Sequence, residues 1–137
     1  MNFAKRFAIG LGIWVALLAT QVVAAPAVVD FDRDIRPILS KNCFECHGPD
    51  SSSRETKWRL DIEADVYQRR DGVALVVPGD PGQSELLRRI STNDPELRMP
   101  PAASGKSLTP AQVETIEAWI RQGATWKGHW SFARPRR

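Results

Sequence analysis

Both cysteines of the chain and one of its two histidines fall within residues 43–47, which read Cys-Phe-Glu-Cys-His. The pattern C-x-x-C-H is typical of c-type haem attachment. Two thiols three residues apart lie on the same side of a helical turn, so Cys43 and Cys46 can both reach the vinyl groups of one haem. His47 then lies under the iron as its proximal axial ligand. The motif therefore predicts one covalently attached haem c.

Three other kinds of site share parts of this pattern. A thioredoxin-like redox pair also uses C-x-x-C, but it expects a preceding strand in a βαβ unit, which the sequence does not show. A structural zinc site needs four ligands, and His129 would have to join far outside the usual finger spacing. A simple disulfide needs no histidine after the second cysteine. Haem attachment fits the sequence better than any of the three.

The N-terminus has the parts of a secretory signal peptide. Lys5 and Arg6 form its positive region, residues 7–19 are apolar, and cleavage after Ala24 is favoured, so that residues 1–24 form the signal. The alternative is an uncleaved anchor, but polar residues interrupt the apolar run before it comfortably spans a bilayer. We expect an exported protein, in the periplasm or an equivalent extracytoplasmic space, without a stable membrane anchor once the signal is cleaved.

Length and charge limit the remaining possibilities. Removal of the signal leaves about 110 residues, which is enough for one small domain. A chain of this size buries a modest core, and a haem would itself supply a large part of it. The net charge falls from +3 to +1 when Lys5 and Arg6 are removed. No basic stripe with interleaved aromatic residues is present, so nucleic acid is not an expected partner.

Short helices are favoured over strands along the chain. Asp30 or Asp32 can cap a first helix, whose apolar residues recur at i, i+4, i+7 and i+8. This apolar face consists of Phe31, Ile35, Ile38 and Leu39. Pro37 falls inside the pattern and predicts a kink or a fresh helix start. The helix is expected to run directly into Cys43 and to stop at Gly48.

Two more helices are predicted in the middle of the chain. Residues 61–69 form one, with Ile62 and Val66 facing inward. Asp80 is a plausible N-cap for the other, with Pro81 at its first position.

The last helix has the clearest start. Thr109 and Gln112 form a capping box, and Gly123 ends the helix. Residues 73–77 are an apolar run that fits either a short strand or buried coil, and the sequence does not decide between them.

Met99 is the candidate for the second axial ligand. It is the only methionine left after removal of the signal, and Pro100 and Pro101 restrict the backbone beside it. A thioether is a neutral ligand that raises the potential of haem iron relative to a second histidine. The alternatives are a methionine that fills the core, ligation by His129, or an open iron site.

These residues resemble the planctomycete-type cytochrome c domain, a small c-type cytochrome. The matching stretches are residues 32–49, residues 77–81 with Ser84, and residues 108–126. The resemblance implies an all-α fold, a small cytochrome c-type fold of about four short helices around one covalently attached haem c. It also implies that His47 and Met99 are the axial ligands.

The resemblance covers nearly the whole chain behind the signal. It predicts a short linker at residues 25–30, the cytochrome c domain at residues 31–126, and a basic connector or tail at residues 127–137. Residues 129–132 resemble the join at which many family members continue into large domains. The chain is therefore expected to be a stand-alone module or a truncated version of a longer multidomain protein.

Three further residues are candidate haem contacts. Arg59 matches an arginine-leucine-aspartate stretch of the family and could pair with a haem propionate, although a solvated surface arginine explains it equally well. Trp58 is expected to pack against the porphyrin, and Pro100 to lie beside it.

The expected function follows from the iron. No Ser/His/Asp set, carboxylate pair or nucleotide-binding loop offers other chemistry. A haem with both axial positions filled by protein cannot bind substrate without losing a ligand, so we predict a one-electron carrier or relay and not an enzyme. Its redox donor and acceptor proteins are not identified by the sequence. The alternatives are a haem-based sensor, in which Met99 leaves the iron, and a haem-bearing appendage of a larger protein.

Overall fold

The structure is a computed structural model that describes residues 27–126. The predicted signal peptide, the first two residues of the predicted linker, and the predicted connector with His129 lie outside the described residues. No helix between residues 27 and 126 is long and apolar enough to cross a membrane.

Short helices make up most of the regular structure in this part of the chain. In chain order they are a π-helical turn at Phe31–Ile35, α1 at Arg36–Asn42, α2 at Phe44–His47, α3 at Glu63–Tyr67, a 3₁₀ turn at Pro81–Gln83, α4 at Glu85–Ser91, a second 3₁₀ turn at Ala102–Ser104, and α5 at Pro110–Arg121. A two-stranded antiparallel sheet, β1 at Arg69–Arg70 and β2 at Val73–Ala74, lies between α3 and the first 3₁₀ turn. The all-α prediction therefore needs this correction, although the described residues are mostly helical.

The first helical segment begins and turns where the sequence predicted. The Asp30 carboxylate accepts hydrogen bonds from the backbone N–H groups of Asp32 and Arg33, at 3.0 and 3.1 Å, which satisfies donors that have no partner inside the helix. Pro37 stands in the first turn of α1 and marks a fresh start, because proline has no N–H to donate there. Only Cys43 separates α1 from α2, so α1 leads directly into the Cys-Phe-Glu-Cys-His motif, as predicted.

The predicted helix over residues 61–69 is shorter in the structure, since only α3 forms. Val66 is buried as predicted, but Ile62 is 39% exposed, which makes the prediction for Ile62 wrong. Ile62 precedes the helix in extended backbone, with φ −117° and ψ 119°, and therefore does not share the helical face of Val66. Beyond α3 the chain reverses through β1 and β2, which confirms the strand alternative over part of residues 73–77.

The cap at Asp80 is confirmed, but it begins a short 3₁₀ turn and not the predicted α-helix. The Asp80 carboxylate accepts from the N–H of Gln83 at 3.1 Å and closes a single 3₁₀ turn. Buried Ser84 then adopts extended backbone, and its hydroxyl donates to the Asp80 carbonyl at 2.8 Å. The α-helix therefore begins only at Glu85, after Ser84 has broken the continuation of the turn.

α5 is the longest helix of the described residues and the centre of the core. Thr109 and Gln112 form the predicted capping box, and Gly123 takes the left-handed backbone, with φ +97°, that ends the helix. The buried apolar side chains of the core, three of them on α5 itself, are Phe31, Ile35, Ile38, Leu39, Leu60, Val66, Leu75, Val76, Leu86, Ile116, Trp119, Ile120 and Ala124.

The first and last described residues meet beside this core. The ring of Trp126 stacks on that of Phe31 with centroids 3.7 Å apart. The Gln122 side chain accepts from the N–H of Val29 at 2.9 Å and donates to the carbonyl of Ala27 at 3.1 Å. Both ends of the described segment are therefore fixed to the C-terminal end of α5.

Candidate functional site

The structure contains a cavity of about 520 Å³, and its volume is typical of small-molecule and cofactor sites. Its lining includes six of the seven predicted site residues: Cys43, Cys46, His47, Trp58, Met99 and Pro100. Apolar side chains form much of the remaining wall, among them Leu60, Leu75, Leu86 and Ile90. The structure thus brings together side chains from α2, the segment after it, the hairpin, α4 and the coil before α5.

The two cysteines enter the cavity from the start of α2, and both are free thiols. The backbone N–H groups of Cys46 and His47 donate to the Cys43 carbonyl, at 3.2 and 2.9 Å, so the motif forms a helical turn as its spacing predicts. Burial raises the pKa of the Cys43 thiol to about 11, and nearby Lys106 only partly opposes it. A thioredoxin-like redox cysteine has a lowered pKa instead, so the environment of Cys43 argues against that alternative.

The imidazole of His47 is oriented by the backbone. Its Nδ1 lies 3.0 Å from the carbonyl oxygen of Trp58. Because a carbonyl only accepts, Nδ1 carries the proton, and Nε2 of the neutral ring is left with a free lone pair. Burial lowers the pKa of His47, although the bond to Trp58 works in the opposite direction. Histidine ligands of metals have this form: the ring is neutral, one nitrogen is free to bind the metal, and the other donates to a carbonyl or carboxylate.

The segment at residues 55–60 wraps around the end of α2. The N–H of Glu55 donates to the Cys46 carbonyl at 3.1 Å, and the N–H of Leu60 donates to the His47 carbonyl at 2.9 Å. These carbonyls lie in the last turn of the helix and have no partner inside it. Together with the Trp58 carbonyl, the two N–H groups fix the backbone and the ring of His47.

Gly48 allows this tight turn at the end of α2. A Cβ at this position would overlap the carbonyl oxygen of Phe44 and lie 2.7 Å from the Phe44 Cβ. Because real Cβ atoms do not approach backbone so closely, only glycine fits without a shift of α2.

Met99 reaches the same cavity from a coil. Its backbone N–H donates to the carbonyl of Arg89, at 2.9 Å, in the last turns of α4. The Arg89 guanidinium also donates to the Leu97 carbonyl at 3.2 Å, which holds the coil two residues before Met99. The residue is 36% exposed and lies outside the buried core, which argues against the alternative of a methionine that fills the core. Pro100 behind it is buried.

Arg59 is the predicted site residue that the structure does not bring into the cavity lining. Its guanidinium instead makes a fork with the carboxylate of Asp61, with one hydrogen bond of 2.6 Å from Nε. Basic groups do line the cavity, but they belong to Arg70, Arg89 and Lys106. The sequence did not point to these three residues as part of the site, because nothing in the order of the residues shows which basic side chains face the motif.

The residues present fit haem c. Two thiols at attachment spacing, a neutral imidazole with a free Nε2 and a thioether line one cavity with largely apolar walls. Among residues 27–126 there is no group of three or more histidine, cysteine, aspartate or glutamate side chains placed to hold a metal ion. The donors suit an iron whose other ligands come from a porphyrin.

Comparison with protein families supports the same interpretation. Residues 43–103 match the family model described as Planctomycete cytochrome C, so the resemblance found in the sequence is confirmed over these residues. The match includes both the Cys-His motif and Met99, and it ends before α5, so it is narrower than the range inferred from the sequence. No curated protein and no solved structure matches the chain.

Proposed function

We propose that the chain is a mono-haem c-type cytochrome domain that acts as a one-electron carrier or relay. One observation carries the proposal: Cys43, Cys46, His47 and Met99 line a single cavity of about 520 Å³. The match to the Planctomycete cytochrome C family supports a c-type cytochrome domain. We extend that support to a cytochrome c-type fold spanning residues 31–126.

Each residue has a separate task in this proposal. Cys43 and Cys46 would hold the porphyrin through thioethers, and His47 would bind the iron through Nε2 while its Nδ1 stays bonded to Trp58. Met99 would supply the second protein ligand of the iron. When bound, the haem iron takes up and releases one electron, and its potential depends on the axial ligands and on burial.

The proposal of a carrier rests on both ligands together. With His47 and Met99 both holding the iron, no coordination site would be open to a substrate. The chain then exchanges electrons with a donor and an acceptor protein across the exposed part of the cavity rim. We place this exchange in an extracytoplasmic compartment, because residues 1–24 have the composition of an export signal.

One observation favours a second function, that of a haem-based sensor. Met99 is 36% exposed and lies in a coil, so its thioether can leave the iron without breaking a helix. An exogenous ligand such as carbon monoxide would take its place. The remaining alternative, a haem-bearing appendage of a larger protein, is compatible with either function.

A pyridine haemochrome spectrum of exported protein tests the cofactor. We expect one haem per chain that stays with the protein through acid-acetone extraction. A variant carrying Cys43→Ser and Cys46→Ser should lose the haem completely. Loss of all colour from the unmutated protein on extraction, or two reactive thiols in the exported protein, would contradict haem c.

Addition of carbon monoxide to the reduced protein separates the carrier from the sensor. A carrier keeps its low-spin spectrum, because Met99 stays on the iron. A spectrum that changes rapidly on addition of carbon monoxide would favour the sensor.

A further inference from the structure

We propose that Arg70 is a positioning residue for His47, which fixes the backbone of Lys57 and Trp58 and thereby sets how strongly the imidazole binds iron. The inference rests on the proposed ligation of haem iron by His47. Arg70 belongs to β1 and lines the cavity, but its contacts lead to the histidine through Trp58.

Two contacts of Arg70 fix the residue that holds His47. Its Nη1 donates to the carbonyl of Lys57 at 2.8 Å, and its guanidinium lies over the Trp58 ring, 5.0 Å from the ring centre. The first contact holds the peptide group that enters Trp58, and the second holds the Trp58 side chain by a cation–π interaction. Because Arg70 holds both the backbone and the ring of Trp58, it also fixes the Trp58 carbonyl, which accepts from Nδ1 of His47.

Arg70 is itself held in place by the hairpin region. Its Nη2 lies 3.1 Å from the Asp65 carboxylate and donates to the Gln68 side chain at 3.1 Å. The backbone of Arg70 pairs with Val73 in the two-stranded sheet. A planar guanidinium with this many partners loses little freedom when it contacts Trp58, which suits it to a supporting role.

The expected effect on the iron has a definite sign. A hydrogen bond from Nδ1 raises the basicity of the imidazole, and a more basic imidazole stabilises ferric iron and lowers the potential. Loosening of Trp58 weakens that bond and therefore raises the potential. Loss of a positive charge near the iron acts in the opposite direction, because it favours the ferric state and so lowers the potential. The direction of the change thus separates positioning from a direct effect of charge.

The test compares Arg70→Gln, Arg70→Lys and Arg69→Gln in the exported, haem-loaded protein. Arg69 is the matched control, since it carries the same charge one residue away, is exposed, and donates to the Gly72 carbonyl instead. The measurements are the reduction potential and the solvent-exchange rate of the His47 ring N–H proton by NMR. Haem content and the low-spin spectrum of the unmutated protein are recorded first, because their failure would overturn the proposed function and not this inference alone.

We expect Arg70→Gln to raise the potential and to speed the ring N–H exchange roughly tenfold, as the loss of about one net hydrogen bond predicts. Arg70→Lys should also raise the potential and speed the exchange, because an ammonium keeps the charge but not the fork. Arg69→Gln should match the unmutated protein. A lowered or unchanged potential in Arg70→Gln, or values for Arg70→Lys equal to those of the unmutated protein, would overturn the proposal. If Arg70→Gln does not fold, Arg70→Lys decides by the same two measurements.

Discussion

His47 stands at the end of two consecutive helices, whereas Met99 stands in a coil between α4 and α5. The wrapping segment at residues 55–60 makes three hydrogen bonds to the end of α2, two of them with the ring and the backbone of His47 and one with the carbonyl of Cys46. The backbone of Met99 has one, from its N–H to the Arg89 carbonyl. His47 is half-buried, and Met99 is 36% exposed.

This difference separates two properties of the site. The His47 side is built from consecutive helical turns and one segment that wraps around them, so it holds a ligand in one geometry. The Met99 side is a coil held through hydrogen bonds to Arg89, and such a coil opens at a lower free energy than packed helices do. We therefore expect substitutions on the His47 side to affect assembly, and those on the Met99 side to affect ligand exchange.

The largest effect is expected for Gly48→Ala. The added methyl group collides with the Phe44 carbonyl, so α2 has to shift and the attachment motif with it. We expect a loss of about 3 kcal/mol of folding free energy and a reduced yield of haem-loaded protein, measured by urea unfolding and haemochrome content.

Gly82→Ala is the matched control for this substitution. A Cβ at Gly82 meets its nearest atom, an oxygen of the Asp80 carboxylate, at 3.4 Å, which is ordinary contact. If Gly48→Ala is no less stable than Gly82→Ala, then the turn after His47 is not as tight as the structure shows.

Met99→Ala should leave attachment intact and open the iron. Because the side chain is about one-third exposed, lost packing accounts for only about 1–2 kcal/mol of stability. The larger change is spectroscopic: the charge-transfer band of methionine-ligated ferric haem disappears, and carbon monoxide binds rapidly. Met99→His should stay six-coordinate at a lower potential.

Exposed Glu96 provides the control, since Glu96→Ala changes the same coil without touching the cavity lining. An unchanged spectrum and potential in Met99→Ala would show that another group is the second ligand, with His129 the first to test.

Protonation of Glu85 at low pH should destabilise the Met99 side, because Glu85 pairs with Arg89, which holds the coil. Hydrogen bonds from Arg88, and then from Arg89, lower the pKa of the Glu85 carboxyl from 4.5 to about 2. Between these values the unfolded chain binds a proton that the folded chain does not, so stability falls as the pH drops from 4.5 towards 2. After allowance for solvent screening, we expect Glu85→Gln to remove about 1–2 kcal/mol of this pH dependence in urea unfolding. An equally steep acid dependence in Glu85→Gln would assign it to other carboxyl groups.

Arg89→Gln should loosen Met99 without removing it. The substitution deletes the hydrogen bond to the Leu97 carbonyl and the pair with Glu85, while the backbone bond from Met99 to residue 89 remains. We expect a loss of about 1 kcal/mol and carbon monoxide binding that is faster than in the unmutated protein but slower than in Met99→Ala. Arg88→Gln is the control, because Arg88 also pairs with Glu85 but does not line the cavity. Equal rates in the two variants would mean that Arg89 does not hold the coil.

The smallest effect is expected where the two sides meet. Lys106 pairs with Glu45 of the motif, and this contact lowers the pKa of the Glu45 carboxyl. The pair is exposed to solvent, so Lys106→Gln should speed carbon monoxide binding only slightly, and the difference should vanish in high salt. A large effect that persists in salt would show that the two sides are coupled more firmly than their contacts indicate.

Features that depend on neighbouring residues were predictable from the sequence. The cap at Asp30, the capping box at Thr109 and the end of α5 at Gly123 are confirmed, because each requires only a side chain and the backbone next to it. The family resemblance is confirmed over residues 43–103. It was recognisable because the attachment motif is continuous in sequence.

Features that depend on tertiary contacts were not predictable. The Trp58 carbonyl that orients His47 is a backbone group, and every residue has one, so no residue type marks it. The prediction for Arg59 rested on its neighbours in sequence, whereas the fold of the hairpin places the Arg70 guanidinium at the cavity. The late start of α4 depends on buried Ser84, whose hydroxyl accepts from the N–H of Val77 at 2.9 Å as well as binding Asp80.

The stacking of Phe31 on Trp126 determines where mechanical load enters the domain. The chain arrives and departs at the C-terminal end of α5, and neither the Phe31–Ile35 turn nor α5 contributes a residue to the cavity wall. A pull on both flanking segments would therefore act first across the aromatic stack and the bonds of Gln122. The cavity wall takes no residue from these contacts, so a load that they carry would not act directly on His47 or Met99.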